Sequence, residues 1–167
     1  MAVYYFDASA LVKYYVTEPG STWVRRLIEA RETTTGQPLH LIFVAEITRV
    51  EVAAGLALIE RVDRIKKAER DREHARFTAQ LVHRYAIIPL TTGDFEAAAA
   101  LTQRHPLKAY DAVQLAVAIR YHYLLAAYPL VFVCGDKALL AAAQSEGLST
   151  ANPFEHAMPE DASGGSH

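Results

Sequence analysis

Val3-Tyr4-Tyr5-Phe6-Asp7-Ala8-Ser9-Ala10-Leu11-Val12 opens with an apolar run, Val3 to Phe6, that ends on the acid Asp7 and passes directly into helix-forming residues. A short apolar run without alternation predicts a strand covered on both faces. Ala8 to Val16 then predicts a helix, stopped at Thr17-Glu18-Pro19-Gly20. The same order recurs near the other end of the chain. Leu130-Val131-Phe132-Val133-Cys134 predicts a strand, Asp136 follows it, and Lys137 to Ser145 predicts a helix closed by Gly147.

Between these two units the alternation continues. Ser21 is expected to cap a helix from Thr22 to about Arg31, and Thr33 to Pro38 is expected to form a loop. Strands are expected at Leu39–Val44 and Ala86–Leu90, with a short edge strand at Leu148–Ala151. Helices are expected at Ala45–Arg61, Phe95–Arg104 and Ala109 to about Ala126. Val62 to Tyr85 holds no Gly or Pro and predicts one long charged helix. Strands separated by helices require crossover connections. The expected fold class is therefore α/β, a three-layer α/β/α sandwich with a mostly parallel central sheet. Ligands of open α/β sheets bind outside the carboxyl ends of the strands, where Asp7 and Asp136 are expected.

With 167 residues, 51% hydrophobic and 22% charged, the chain has the composition of one ordinary folded domain. The formal net charge of −2 argues against a binder that relies on a global positive field, though not against an enzyme with local basic groups. A single cysteine, Cys134, excludes an internal disulfide and fits a reducing cytoplasm. No secretory leader and no apolar stretch of membrane-spanning length is evident, so a cytoplasmic location is expected.

Four acids stand where acids are costly: Asp7, Glu51, Asp111 and Asp136. Each has an ordinary explanation. Asp7 and Asp136 suit helix N-caps, and Asp111 suits the first turn of a helix, where it complements the dipole. Glu51 is harder to explain away, because it shares a helical stripe with Ile47, Val50, Ala54 and Leu58. Read mid-helix it cannot cap, and the alternative is a core salt bridge to a distant base. A buried carboxylate costs several kcal/mol unless paired or bound to a cation. Four at element ends together suggest one shared hard cation, magnesium or manganese.

These stretches resemble the motifs of PIN-domain ribonucleases, most closely the VapC-type toxins of bacterial toxin–antitoxin pairs. Tyr5-Phe6-Asp7-Ala8-Ser9-Ala10-Leu11-Val12-Lys13 is similar to the opening motif, and Ile47-Thr48-Arg49-Val50-Glu51-Val52-Ala53-Ala54 to the second. Lys108-Ala109-Tyr110-Asp111-Ala112-Val113-Gln114-Leu115-Ala116 is similar to the third, and Phe132-Val133-Cys134-Gly135-Asp136 to the fourth. The resemblance implies a PIN-like nuclease domain over residues 1–153, with 154–167 a flexible tail. It implies Asp7, Glu51, Asp111 and Asp136 as catalytic, metal-binding acids for Mg2+ or Mn2+, and Ser9 as a hydroxyl that orients Asp7. It further implies an RNA substrate, a small cognate antitoxin that blocks the acids, and a homodimer. Relatives usually carry Ser or Thr where this chain has Cys134, which bears on how Asp136 is positioned.

Phosphodiester hydrolysis requires an activated water and charge neutralisation on the leaving oxygen, both of which a metal supplies. Lys13, Arg49 and Lys108 each lie close to one of the acids and are the expected RNA contacts. Tyr14, Tyr15 and Trp23 are candidates for stacking on unpaired bases, or else for the core. Glu60 to Arg76 is rich in both signs of charge and is expected to be a solvated, internally paired face. A haloacid-dehalogenase phosphatase needs a second Asp where Ser9 stands, and no glycine-rich phosphate loop is present. The remaining alternatives are a PIN-like DNA nuclease and a catalytically weak domain that binds RNA or a partner.

Overall fold

A computed structural model describes residues 2–163. The elements run β1 (Val3–Phe6), α1 (Ala8–Tyr15), α2 (Ser21–Glu29), β2 (Leu41–Ala45), α3 (Thr48–Arg61), α4 (Lys67–Arg84) and β3 (Ala86–Ile88). They continue with α5 (Thr92–Arg104), α6 (Ala109–Leu124), β4 (Leu130–Val133), α7 (Lys137–Ser145) and β5 (Ser149–Ala151). Two 3-10 turns, Pro153–His156 and Pro159–Ser163, follow. The strands form one sheet in the order β3-β2-β1-β4-β5, and every pairing is parallel. The three-layer α/β/α arrangement expected from the alternation is the one observed.

Sheet side chains divide by parity. Tyr5, Phe43, Phe132 and Cys134 pack against α5, α6 and α7. Phe6, Ile42, Val44 and Val133 pack against α1 to α4 on the other face. Tyr5 and Phe6 are both fully buried although adjacent, which is why β1 is apolar at every position instead of alternating. Burial of each such side chain stabilises the fold by about 1.5–3 kcal/mol. No helix among the described residues is long and apolar enough to cross a membrane.

Besides shifts of two or three residues at the ends of α2, β2, β3 and α5, the structure departs from the expected boundaries in four places. Helix α2 is capped by Gly20, with φ at +90°, and not by the Ser21 side chain. A Cβ at Gly20 would lie 2.3 Å from the carbonyl oxygen of Pro153, so both the backbone conformation and the close approach require glycine. The Ser21 hydroxyl instead ties the preceding turn, donating to the Val16 carbonyl and accepting from the Glu18 amide. Strand β2 runs on to Ala45, in register with Ile88, so α3 begins only at Thr48.

The expected helix from Val62 to Tyr85 begins only at Lys67. Asp63 adopts φ +58°, a left-handed conformation that Asp tolerates better than most residues, and the chain turns so that Ile65 enters the core. No Gly or Pro marks that break. The expected tail is also packed as far as the structure describes it. Asp161 is buried and accepts from the amides of Gly20, Thr22 and Met158 and from the Thr22 hydroxyl, at 2.7–2.9 Å. Residues 164–167 lie outside the described residues.

Candidate active site

Connections leave β1 towards β2 on one side, while β4 returns on the other, so the topological switch lies between β1 and β4. Asp7 ends β1 and Asp136 follows β4 at the carboxyl edge of this crevice. Both acids are also N-caps. Asp7 Oδ1 accepts from the Ala10 amide at 2.9 Å, and Asp136 Oδ1 accepts from the Leu139 amide at 2.8 Å. The capping role and a place at the switch point are therefore compatible.

Ser9 connects the two acid-bearing turns. Its hydroxyl donates to the Asp7 carboxylate at 2.8 Å and accepts from the Gly135 amide at 3.0 Å. Cys134 contributes through its sulfur, which accepts from the Asp136 amide at 3.2 Å. The thiol thus holds the turn in its own way. Burial and the nearby Asp7 charge push its ionisation well above the ordinary cysteine range, so it is a neutral packing and accepting group here.

Glu51 occupies the first turn of α3, not its middle, and the expected apolar stripe is not the buried one. Thr48, Val52, Leu56 and Ile59 face the core, whereas Val50 is 62% exposed and Leu58 59% exposed. What holds Glu51 inward is a polar network. Gln114 Nε2 donates to Glu51 Oε2 and to the Thr48 hydroxyl (3.0 Å for the latter), and Tyr5 Oη donates to Gln114 Oε1 at 2.6 Å. Tyr5, Thr48 and Gln114 are all buried, so the carboxylate is aimed by groups that have no solvent alternative. Gln114 escaped the sequence reading, although a lone amide inside Ala112–Ile119 was a legible signal.

Asp111 lies in the first turn of α6, half-buried. Its carboxyl is raised by burial and by the charge of Asp136, against a lowering from Lys108. Burial raises Asp7 to about 6, partly opposed by hydrogen bonds from Ala10, Cys134 and Ser9 and reinforced by Asp111. Burial raises Glu51 to about 7, opposed by Gln114 and reinforced by Asp7 and Asp111. Asp7, Glu51 and Asp111 each feel the charge of at least one other acid, a repulsion that a cation would relieve. Among the described residues, no group of three His, Cys, Asp or Glu side chains converges into a ready-made metal cage.

The three expected RNA contacts lie in different settings. Lys108 is the exposed N-cap residue of α6, beside Asp111. Arg49 is exposed and pairs with Glu46 at 3.6 Å. Lys13 is only 1% exposed; its ammonium donates to Glu18 at 3.0 Å and sits 3.8 Å from the centre of the Phe154 ring. Of the aromatic candidates, Tyr14 and Tyr15 are core residues and Trp23 stacks on His156. Glu60 to Arg76 is internally paired, through Arg70–Glu60, Arg72–Glu73 and Arg76–Glu73. A cleft of about 340 Å³ opens beside the acids, with Ser9, Lys13, Glu51, Asp136 and Phe154 in its wall.

No curated protein sequence is similar enough to count as a match. Similar solved structures include FitAcB from Neisseria gonorrhoeae, 17% identical with a TM-score of 0.60, covering 90% of this chain and 98% of the other. A toxin–antitoxin complex from Klebsiella pneumoniae is 21% identical with a TM-score of 0.55, covering 92% and 98%. VapBC2 from Rickettsia felis, bound to a DNA fragment from its promoter, is 14% identical with a TM-score of 0.58, covering 90% and 98%. At such identities the likeness concerns the fold. The PIN domain model matches residues 4–128, which hold Asp7, Glu51 and Asp111. On that match over most of its length, the chain belongs to the PIN domain family, a family of nucleases.

Proposed function

We propose that the protein is a divalent-metal-dependent endoribonuclease and the toxin of a toxin–antitoxin pair, acting in the cytoplasm as a homodimer. The observation that carries this reading is the position of Asp7 and Asp136 at the carboxyl edge of β1 and β4, with the carboxyls of Asp7, Glu51 and Asp111 each raised by the charge of another acid of the set. The donor set fits magnesium or manganese, since hard carboxylate oxygens are the ligands those ions prefer. Asp7 and Asp111 would hold the ion directly, with Asp136 and Glu51 binding directly or through water. When bound, the ion supplies an acidified water and offsets charge on the scissile phosphate and the leaving oxygen.

The chain's own groups do the rest. Ser9 holds Asp7 in one orientation. Gln114 engages Oε2 of Glu51, leaving Oε1 to take the proton of the attacking water. Lys13 acts as a fixed charge in the cleft wall, while Arg49 and Lys108 at the surface guide the phosphate backbone.

The toxin reading draws on the toxin–antitoxin complexes among the similar structures. It is also supported by the exposed apolar residues Val50 and Leu58 on α3, which offer surface to an antitoxin or a second copy. The test is cleavage of labelled structured and single-stranded RNA with magnesium, manganese or EDTA, beside an Asp7→Asn protein purified identically. Metal-dependent cleavage lost in Asp7→Asn supports the reading; equal cleavage by both proteins, or none by either, overturns it.

A further inference from the structure

Phe154 has more exposed surface than a cover for an ion pair needs. It is 48% exposed, yet its position is fixed from three sides. Its amide donates to Asn152 Oδ1 at 3.0 Å, the Lys13 ammonium lies 3.8 Å from the ring centre, and Gly135 leaves room for the ring edge. A Cβ at Gly135 would come within 3.0 Å of Phe154 Cε2, so the bare backbone beside Asp136 is what lets an aromatic ring sit this close to the acids. The ring opens into the same cleft as Glu51 and Asp136, whose remaining wall is largely aliphatic, from Val12 and Ile59.

The charges of that wall are fixed in place. Lys13 pairs with Glu18 at 3.0 Å inside the cleft wall, and Arg64 holds the same carboxylate from outside it at 2.9 Å. Acids that would hold a cation for the phosphate, an aliphatic floor and an exposed aromatic ring are the parts needed to seat a nucleotide with its base splayed to one side.

Resting on the nuclease reading above, we infer that Phe154 is the stacking platform for an unpaired base adjacent to the scissile phosphate, and that this cleft is the nucleotide subsite of the enzyme. Base-on-ring stacking tolerates every base and requires the base to leave its own stack, so the subsite selects single-stranded or looped RNA over duplex. It also accounts for the stacking function that Tyr14 and Tyr15, buried in the core, do not supply.

The test measures binding of the four nucleoside 5′-monophosphates, and of ribose 5-phosphate as the base-free control, to the magnesium-loaded protein by NMR titration. Wild type is expected to favour the nucleotides over ribose 5-phosphate by roughly 5- to 100-fold. Phe154→Leu, which keeps an apolar cover over Lys13, is expected to lose that preference with an unchanged melting temperature; Phe154→Tyr is expected to keep it. Equal binding of nucleotides and ribose 5-phosphate to wild type overturns the inference, as does a preference that survives in Phe154→Leu. If RNA is cleaved with metal while the base preference is absent, only this inference falls; if no RNA is cleaved either, the nuclease reading falls with it.

Discussion

Tyr5 and Gln114, 109 positions apart in the chain, are joined by a 2.6 Å hydrogen bond between buried groups, and the same Gln114 amide donates to Glu51. A strand of the central sheet and a helix of one layer thereby aim a carboxylate carried by a helix of the other layer. Removing the middle member leaves two buried polar groups without partners, which costs about 1–3 kcal/mol. Gln114→Leu is expected to lose that much stability in chemical denaturation, whereas Tyr5→Phe loses about 1 kcal/mol because the partner keeps its other bonds. In RNA cleavage, Gln114→Leu is expected to lower kcat more than it raises KM, because Glu51 loses its aim while the phosphate contacts stay. A KM effect alone would sink this assignment.

Asp7 gives a prediction about pH. Its carboxyl titrates at about 6 in the fold against an ordinary value of 3.8, because burial disfavours the charge. Between those values the folded chain holds a proton that the unfolded chain has released, so metal-free stability falls as pH rises through that window. Asp7→Asn keeps an oxygen to accept from the Ala10 amide but carries no charge. In EDTA it is expected to be more stable than wild type at pH 8, by on the order of 1–3 kcal/mol, with the gap closing near pH 4. Urea denaturation at the two pH values decides it.

Metal addition is expected to act in the opposite sense. Mg2+ or Mn2+ at pH 7.5 should raise the melting temperature by several degrees, since about 100 Kd of a ligand that binds only the folded chain contributes about 2.7 kcal/mol. Binding should release protons, visible as calorimetric heats that depend on the buffer, because Asp7 and Glu51 titrate close to neutrality. The shift should vanish in Asp111→Asn and fade at pH 5. An equal shift in the variant would place the ion elsewhere.

The C-terminal turns provide a separate test. Burial works to raise Asp161, but donors from Met158, Thr22 and Gly20 outweigh it and hold the carboxyl at about 2. Its stabilising contribution is therefore present above about pH 4 and lost as pH falls towards 2. Asp161→Ala is expected to release this segment and expose it to limited proteolysis before the rest of the domain, with Phe154 losing its fixed position. Unchanged protease resistance would show that other contacts hold the segment.

Much of this was legible in the chain. Strand ends followed by acids placed Asp7 and Asp136, because both the helix cap and the switch point of a parallel sheet leave a local signature in sequence. Glu51 was singled out through a stripe that in fact faces outward; its real anchor, Gln114, is 63 positions away and has no local signature. The turn at Asp63 was hidden because a non-glycine residue adopts the left-handed conformation. Phe154 and Asp161 looked like tail residues because their partners, Lys13, Gly20 and Thr22, lie near the start of the chain.

The double duty of Asp7 and Asp136 bears on how such chains change over time. Each starts a helix as well as lining the crevice, so a lineage that abandoned cleavage would still be penalised for replacing either by an apolar residue. Loss of activity would first be recorded as Asn or Ser, residues that cap without charge. Drift at Glu51 and Asp111, whose side chains form no such cap in this fold, is thus the more sensitive record of relaxed selection on activity.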